Sequence, residues 1–203
     1  MEIKLINTIL EVYTNLNPLS IFSENQHIRA HYNDKQGMSY LQIMLGNHLI
    51  QAKNREVILL CIGTDRSTGD SLGPLTGTKM KQMYLPGFTV VGTLDQPVHA
   101  ENLQATIHKI KLTYSNPYII ALDACLGSLE SVGFITLSEG PLKPGTAVKK
   151  ELPAVGEIHL TGIVNINGFA QYMVLQNTRL HIVWQMSDAI CRIFSKTYLD
   201  YTG

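Results

Sequence analysis

The chain has 203 residues, 45% hydrophobic and 16% charged, with 16 basic residues against 16 acidic ones. A chain of this size buries roughly 70% of its unfolded surface, so it forms a core without disulfide or metal staples. The balanced charge and the lack of a basic patch argue against a nucleic-acid partner, and no run approaches the twenty apolar residues of a membrane-spanning helix.

Residues 1–16 place Ile3, Ile6, Ile9, Leu10, Tyr13 and Leu16 at helical intervals, and Asn17–Pro18 stops the pattern. Residues 23–37 are polar and read as loop. "MSYLQIMLGNHLIQA" sets Leu41, Met44, Leu45, His48 and Leu49 on one face of a helix. The chain is expected to be a single domain over 1–203, with 1–54 a helical extension packed on an α/β core.

The rhythm then changes. "VILLCIG" at 57–63 is a continuous apolar run, suited to a buried parallel strand. A helix follows over 73–84, with Pro74 in its first turn, where a missing N–H is harmless. Further strands are expected at 88–94, 117–124, 131–140 and 155–165. Helices are expected at 99–112, 168–178 and 181–199, the last with Trp184, Ile190, Ile193 and Phe194 near one face. The βαβαβ order implies parallel strands and right-handed crossovers. The short interval between the third and fourth strands cannot hold a crossover helix, so a hairpin or an antiparallel strand is expected there. Cys61, Cys125 and Cys191 are too scattered for a metal knuckle, and their odd count argues for a reducing, cytoplasmic setting.

Three successive strand ends carry acids: Asp65 and Asp70, then Asp95, then Asp123. Ligands of open α/β sheets bind outside the carboxyl ends of strands. Asp70 and Asp123 are the preferred catalytic pair. Two close carboxylates share a proton, and such a pair activates water and protonates a leaving amine. Each also has a structural alternative: Asp70 as a helix cap, Asp123 as an acid tying down the next loop. Asp65, Asp95, His99 and His159 are candidate site-lining residues, with ordinary structural roles as the alternative. Asp70 and Asp95 are a candidate metal pair. The glycines of the first turn match neither the dinucleotide nor the phosphate-loop fingerprint, and no GxSxG elbow occurs. Cys125 beside Asp123 reads as a small buried residue rather than a nucleophile.

At "CIGTDRSTGDSLGPLTG", with "YIIALDACLG" and "GPLKPGT", the chain resembles the YyaC family of sporulation proteins from about residue 38 to the C-terminus. More distantly it resembles the germination protease that degrades small acid-soluble spore proteins, and hydrogenase maturation proteases share the suggested fold. The resemblance implies a three-layer α/β/α sandwich with a mostly parallel mixed five-stranded sheet, phosphorylase/hydrolase-like. It implies an aspartic-type endopeptidase acting on a peptide or small spore protein, without a cofactor, in the cytoplasm of the sporulating cell or spore. No nucleic acid or membrane partner is implied, and a homo-oligomer is compatible with it. The first catalytic aspartate of the germination protease precedes Ala-Leu-Gly-Pro; here Asp70 precedes "SLGP". The second lies in an Asp-Ala element, matched by Asp123 and Ala124. Hydrogenase maturation proteases instead use metal-binding acids, which Asp70 and Asp95 resemble, and a later histidine for which His159 is the analogue. The chain lacks most of the germination protease's insertions. The alternatives are therefore a non-catalytic sporulation factor that binds a peptide or protein, and a metal-assisted peptidase.

Overall fold

The computed structural model describes residues 27–144 and 152–202. The helix expected at 1–16 lies outside them. Strand β1 (His27–His31) is followed by helix α1 (Lys35–Gln51). Asp34 starts α1 by accepting the amides of Gln36 and Gly37, each at 3.1 Å, which satisfies two of the orphan donors of the first turn. Strand β2 (Val57–Cys61) leads through a one-turn 3₁₀ helix (Gly69–Ser71) into α2 (Leu72–Met83). Then come β3 (Phe88–Val91), α3 (Leu103–Thr113), β4 (Tyr118–Gly127), β5 (Phe134–Glu139), β6 (Ile158–Ile166), α4 (Gln171–Gln176) and α5 (Leu180–Thr202).

The sheet has six strands in the order β1-β5-β6-β4-β2-β3, not the five expected. β3, β2, β4 and β6 pair in parallel, while β5 runs antiparallel to both β6 and β1. The extra strand is β1, inside a stretch that reads as loop. Its sequence, HIRAH, turns only Ile28 and Ala30 inward, too few apolar residues to announce a strand. The segment 1–54 thus supplies a strand as well as a helix. β5 is antiparallel, as the short connection requires, but it makes no hairpin with β4, because β6 inserts between them.

Helices lie on both faces of the sheet, α1, α2 and α5 on one and α3 on the other, giving an α/β sandwich. Every residue of β2 is buried. Leu59 and Cys61 face a core shared with α1, α2 and α5; Ile58 and Leu60 face a second core under α3. Each fully buried Leu or Ile contributes about 1.5–3 kcal/mol relative to exposure. The expected inward residues of α1 are buried, as are Leu103, Ile107 and Ile110 of α3. Trp184 is the exception: it is 47% exposed, and Lys79 Nζ lies 3.8 Å from its ring centre while bonding Asp188 at 2.7 Å. This clamp ties α2 to α5.

Candidate functional site

The turn after β2 folds back over the strand ends. Ile62 donates its amide to the Leu122 carbonyl at 2.7 Å, Gly63 to Val98 at 2.8 Å, and Thr64 to the Asp70 carbonyl at 3.2 Å. Gly63 has φ +143°, and a Cβ there would overlap the Asp70 carbonyl oxygen. Only glycine allows this approach, and the approach sets Asp70 above the end of β2. No side chain caps either the 3₁₀ turn or α2, so Asp70 is not a helix cap. Pro74 falls at the third position of α2, within the first turn, where an absent N–H costs nothing.

Burial raises the Asp70 carboxyl above the usual carboxylate range. Ser67 draws it partly back; that hydroxyl is itself buried and lacks a well-formed hydrogen bond among the described residues. Asp123 lies on β4, in register with Thr161 of β6. Its Oδ1 accepts the neighbouring Ala124 amide at 2.8 Å, so it ties down no distant loop by a described hydrogen bond. Some surface of Asp123 remains accessible, yet the protein packed around its carboxyl strips away water. Burial pushes that carboxyl up to about 8; the Ala124 amide opposes the rise and the Asp70 charge adds to it. The two preferred acids therefore feel one another electrostatically. Burial is the leading cause of both shifts, so both carboxyls resist ionisation more than an ordinary surface acid.

The remaining candidates scatter. Asp65 is exposed. Asp95 is exposed too and accepts Thr93 Oγ1 at 2.6 Å; that bond, its own amide and Lys81 hold its carboxyl below the usual range. His99 opens the approach to α3, its amide bonded to Asn102 Oδ1 at 2.8 Å. It lines a groove of about 590 Å³ along β3 and α3, which neither Asp70 nor Asp123 lines. His159 is half-buried, and its Nδ1 bonds the Gly140 carbonyl at 2.9 Å. Among the described residues no three His, Cys, Asp or Glu side chains gather as a metal cluster. A transition metal usually takes three or more protein ligands, so the described residues around Asp70 and Asp95 do not fit one. Burial pushes the Cys125 thiol up to about 11, helped by Asp123, which makes a thiolate nucleophile unfavourable. Ser67 is the neighbour that sequence reasoning passed over; its position three residues before Asp70 in a folded turn was the available signal.

Residues 29–193 match the family model described as "Protein of unknown function (DUF1256)". The chain belongs to this family. The uncharacterized protein YyaC of Bacillus subtilis (strain 168) is 46% identical over 179 residues, 87% of each chain, so the family is that of YyaC. Among solved structures, the [NiFe] hydrogenase maturation protease HycI from Thermococcus kodakarensis KOD1 aligns with a TM-score of 0.52 at 11% identity, over 77% of this chain and 99% of its own. The hydrogenase 3 maturation protease aligns at 0.41 and 17% identity, over 68% and 88%. The likeness to HycI is one of fold.

Proposed function

We propose that this member of the YyaC family is an aspartic-type endopeptidase of the sporulating cell, with Asp70 and Asp123 as its catalytic pair. The observation that carries the reading is that the 3₁₀ turn bearing Asp70 packs against β4, which bears Asp123, while burial and the charge of Asp70 raise the Asp123 carboxyl to about 8. Asp70, ionised, takes a proton from a water molecule while the water oxygen bonds the substrate carbonyl carbon. Asp123 gives its proton to the carbonyl oxygen, forming a neutral diol. Return of a proton from Asp70 to the amide nitrogen breaks the C–N bond, and Asp123 recovers its proton as the new carboxyl group forms. The buried Ser67 hydroxyl, which acts on the Asp70 carboxyl, favours the ionised form that this step requires. The fold likeness to HycI, itself a maturation protease, supports peptide chemistry.

Purified wild type, Asp70→Asn and Asp123→Asn are incubated with candidate spore-protein peptides, and fragments are read by mass spectrometry. Cleavage by wild type alone, fading as pH rises past about 8, supports the assignment. Equal cleavage by all three proteins refutes it.

One observation favours a second reading, a partner-binding protein without catalysis. Ile166, Phe169, Tyr172 and Met173 are exposed around the end of β6 and α4, and α4 packs against the 3₁₀ turn that carries Asp70. Large exposed apolar side chains mark interaction surfaces. A specific partner retained by both Asn variants, with no cleavage, selects this reading.

A further inference from the structure

The sheet is covered unevenly. The core under α3 takes residues from β2 and β4 and none from β1, β5 or β6. On that same face β5 presents Phe134, Thr136 and Ser138, and β6 presents His159, Thr161 and Ile163; all are half-buried, while the alternate residues Ile135, Leu137, Ile158, Leu160 and Val164 are fully buried. Such a period of two is what a sheet encodes when one face meets water. Among the described residues no helix covers this part of the sheet, and Asp123 stands at its inner margin.

Strand register lines up four side chains across this face. Arg29 pairs with Thr136, Thr136 with Thr161, and Thr161 with Asp123. Contacts confirm that they share one side. The Arg29 guanidinium lies 4.2 Å from the centre of the Phe134 ring, the Arg29 charge reaches Cys125, and the Thr161 hydroxyl meets the same thiol. Arg29 makes no ion pair among the described residues. Asp123 is the only acid among the strand residues of this face; Glu139, in register with Ile158, turns to the other side and approaches His48 at 3.7 Å. Among the described strand residues, the outer part of the row thus offers a cation without an ion-pair partner and two hydroxyls, with no competing carboxylate.

We propose that this row is a substrate subsite, in which Arg29 binds a carboxylate of a peptide laid across β5 and β6 toward Asp123. The peptide identity rests on the peptidase reading above; the carboxylate preference rests on the row itself. Three strand spacings separate Arg29 from Asp123, about 14 Å. An extended chain spans that distance in about four residues. The recognised acid, a side chain or a terminal carboxylate, therefore lies three or four residues from the bond placed at Asp123. Arginine suits the task because its planar fork binds a carboxylate through two parallel N–H donors. Thr136 and Thr161 supply hydrogen bonds to the peptide between the two ends.

The test uses the full chain carrying Asp123→Asn, so that no turnover interferes. A blocked glycine–serine octapeptide carrying two glutamates, and its glutamine counterpart, are titrated into ¹⁵N-labelled protein to millimolar concentration. The glutamate peptide is expected to bind about tenfold more tightly, shifting amides of β1, β5 and β6. Arg29→Gln should erase the preference, while Arg29→Lys should keep part of it. Thr136→Glu, which places an acid beside Arg29, should also erase it. Equal binding of the two peptides, no binding of either, or a preference that survives Arg29→Gln overturns the proposal. An Arg29-dependent preference in a protein that cleaves nothing supports the subsite and removes the peptidase reading. Cleavage indifferent to the charge at position 29 does the reverse.

Discussion

Replacing Asp123 by asparagine should make the protein more stable, and the gain should depend on pH. The Asp123 carboxyl stands at about 8 in the fold against 3.8 for the free side chain. Below pH about 4 it is protonated in both folded and unfolded states, and the fold keeps its full stability. Between about 4 and 8 the unfolded chain ionises while the folded chain holds its proton, so stability falls as pH rises. Above about 8 the loss is complete. A gap of about four pH units at about 1.4 kcal/mol each sets a ceiling near 5–6 kcal/mol. Asp123 keeps some accessible surface, so water entry lowers the expected difference to about 3 kcal/mol. Asparagine has nearly the same shape, retains the acceptor for the Ala124 amide, and carries no charge. Urea unfolding of wild type and Asp123→Asn, stepped from pH about 4 to about 9, measures the difference directly. A gap that widens by several kcal/mol toward high pH is expected. A gap independent of pH over that range means that Asp123 ionises like a surface acid, and the argument from burial fails.

Gly63→Ala should destabilise the fold by about 2 kcal/mol or more and disturb Asp70, because the new methyl group meets the Asp70 carbonyl; thermal unfolding and the cleavage assay read both effects. Lys79→Met should cost about 1–2 kcal/mol through loss of the Asp188 bond and the Trp184 stacking, and denaturant unfolding at low and high salt measures it. Burial pushes the thiols of Cys125 and Cys191 each up to about 11 and raises Cys61 as well. A disulfide reagent at neutral pH should therefore find no rapidly reacting cysteine in the native protein and three in urea; a fast native thiol would restore Cys125 as a nucleophile.

The elements that sequence reveals are those whose burial is locally complete. β2 reads as a strand because all five residues are apolar and all five are buried. α1 reads as a helix because Leu41, Met44, Leu45, His48 and Leu49 recur on one side, and the fold uses that side. β1 escapes because its second face meets water, which leaves His27, Arg29 and His31 in view and only two inward residues. Strand order escapes for a different reason: nothing local says that β6 will insert between β4 and β5. Trp184 misleads because helical period places it on the flank of the buried stripe, where Lys79 takes it instead. The candidate site divides in the same way. Asp70 and Asp123 are legible because acids at strand ends of an α/β sheet are already a site argument. Arg29 is invisible in sequence, since only register across three strand pairs brings it into line with Asp123.

Whether Asp70 and Asp123 act as one unit can be separated from whether Asp123 is merely buried. Burial is the leading cause of the Asp123 shift, and the charge of Asp70 is a lesser one. Asp70→Asn removes the second cause and leaves the first. The Asp123 midpoint, followed by carbon NMR of its carboxyl, should then fall from about 8 while staying well above the ordinary value. The direction follows from Coulomb repulsion: a neutral neighbour no longer opposes the charge that appears when Asp123 loses its proton. The reciprocal effect must hold, because interaction between two titrating sites is mutual. In wild type a second, smaller step should accordingly appear in the Asp70 signal as Asp123 ionises, and Asp123→Asn should abolish it. If the Asp123 midpoint is unmoved by Asp70→Asn, the two carboxylates do not share a solvent molecule. Asp123 is then a lone buried acid, and proton exchange between the pair cannot drive hydrolysis.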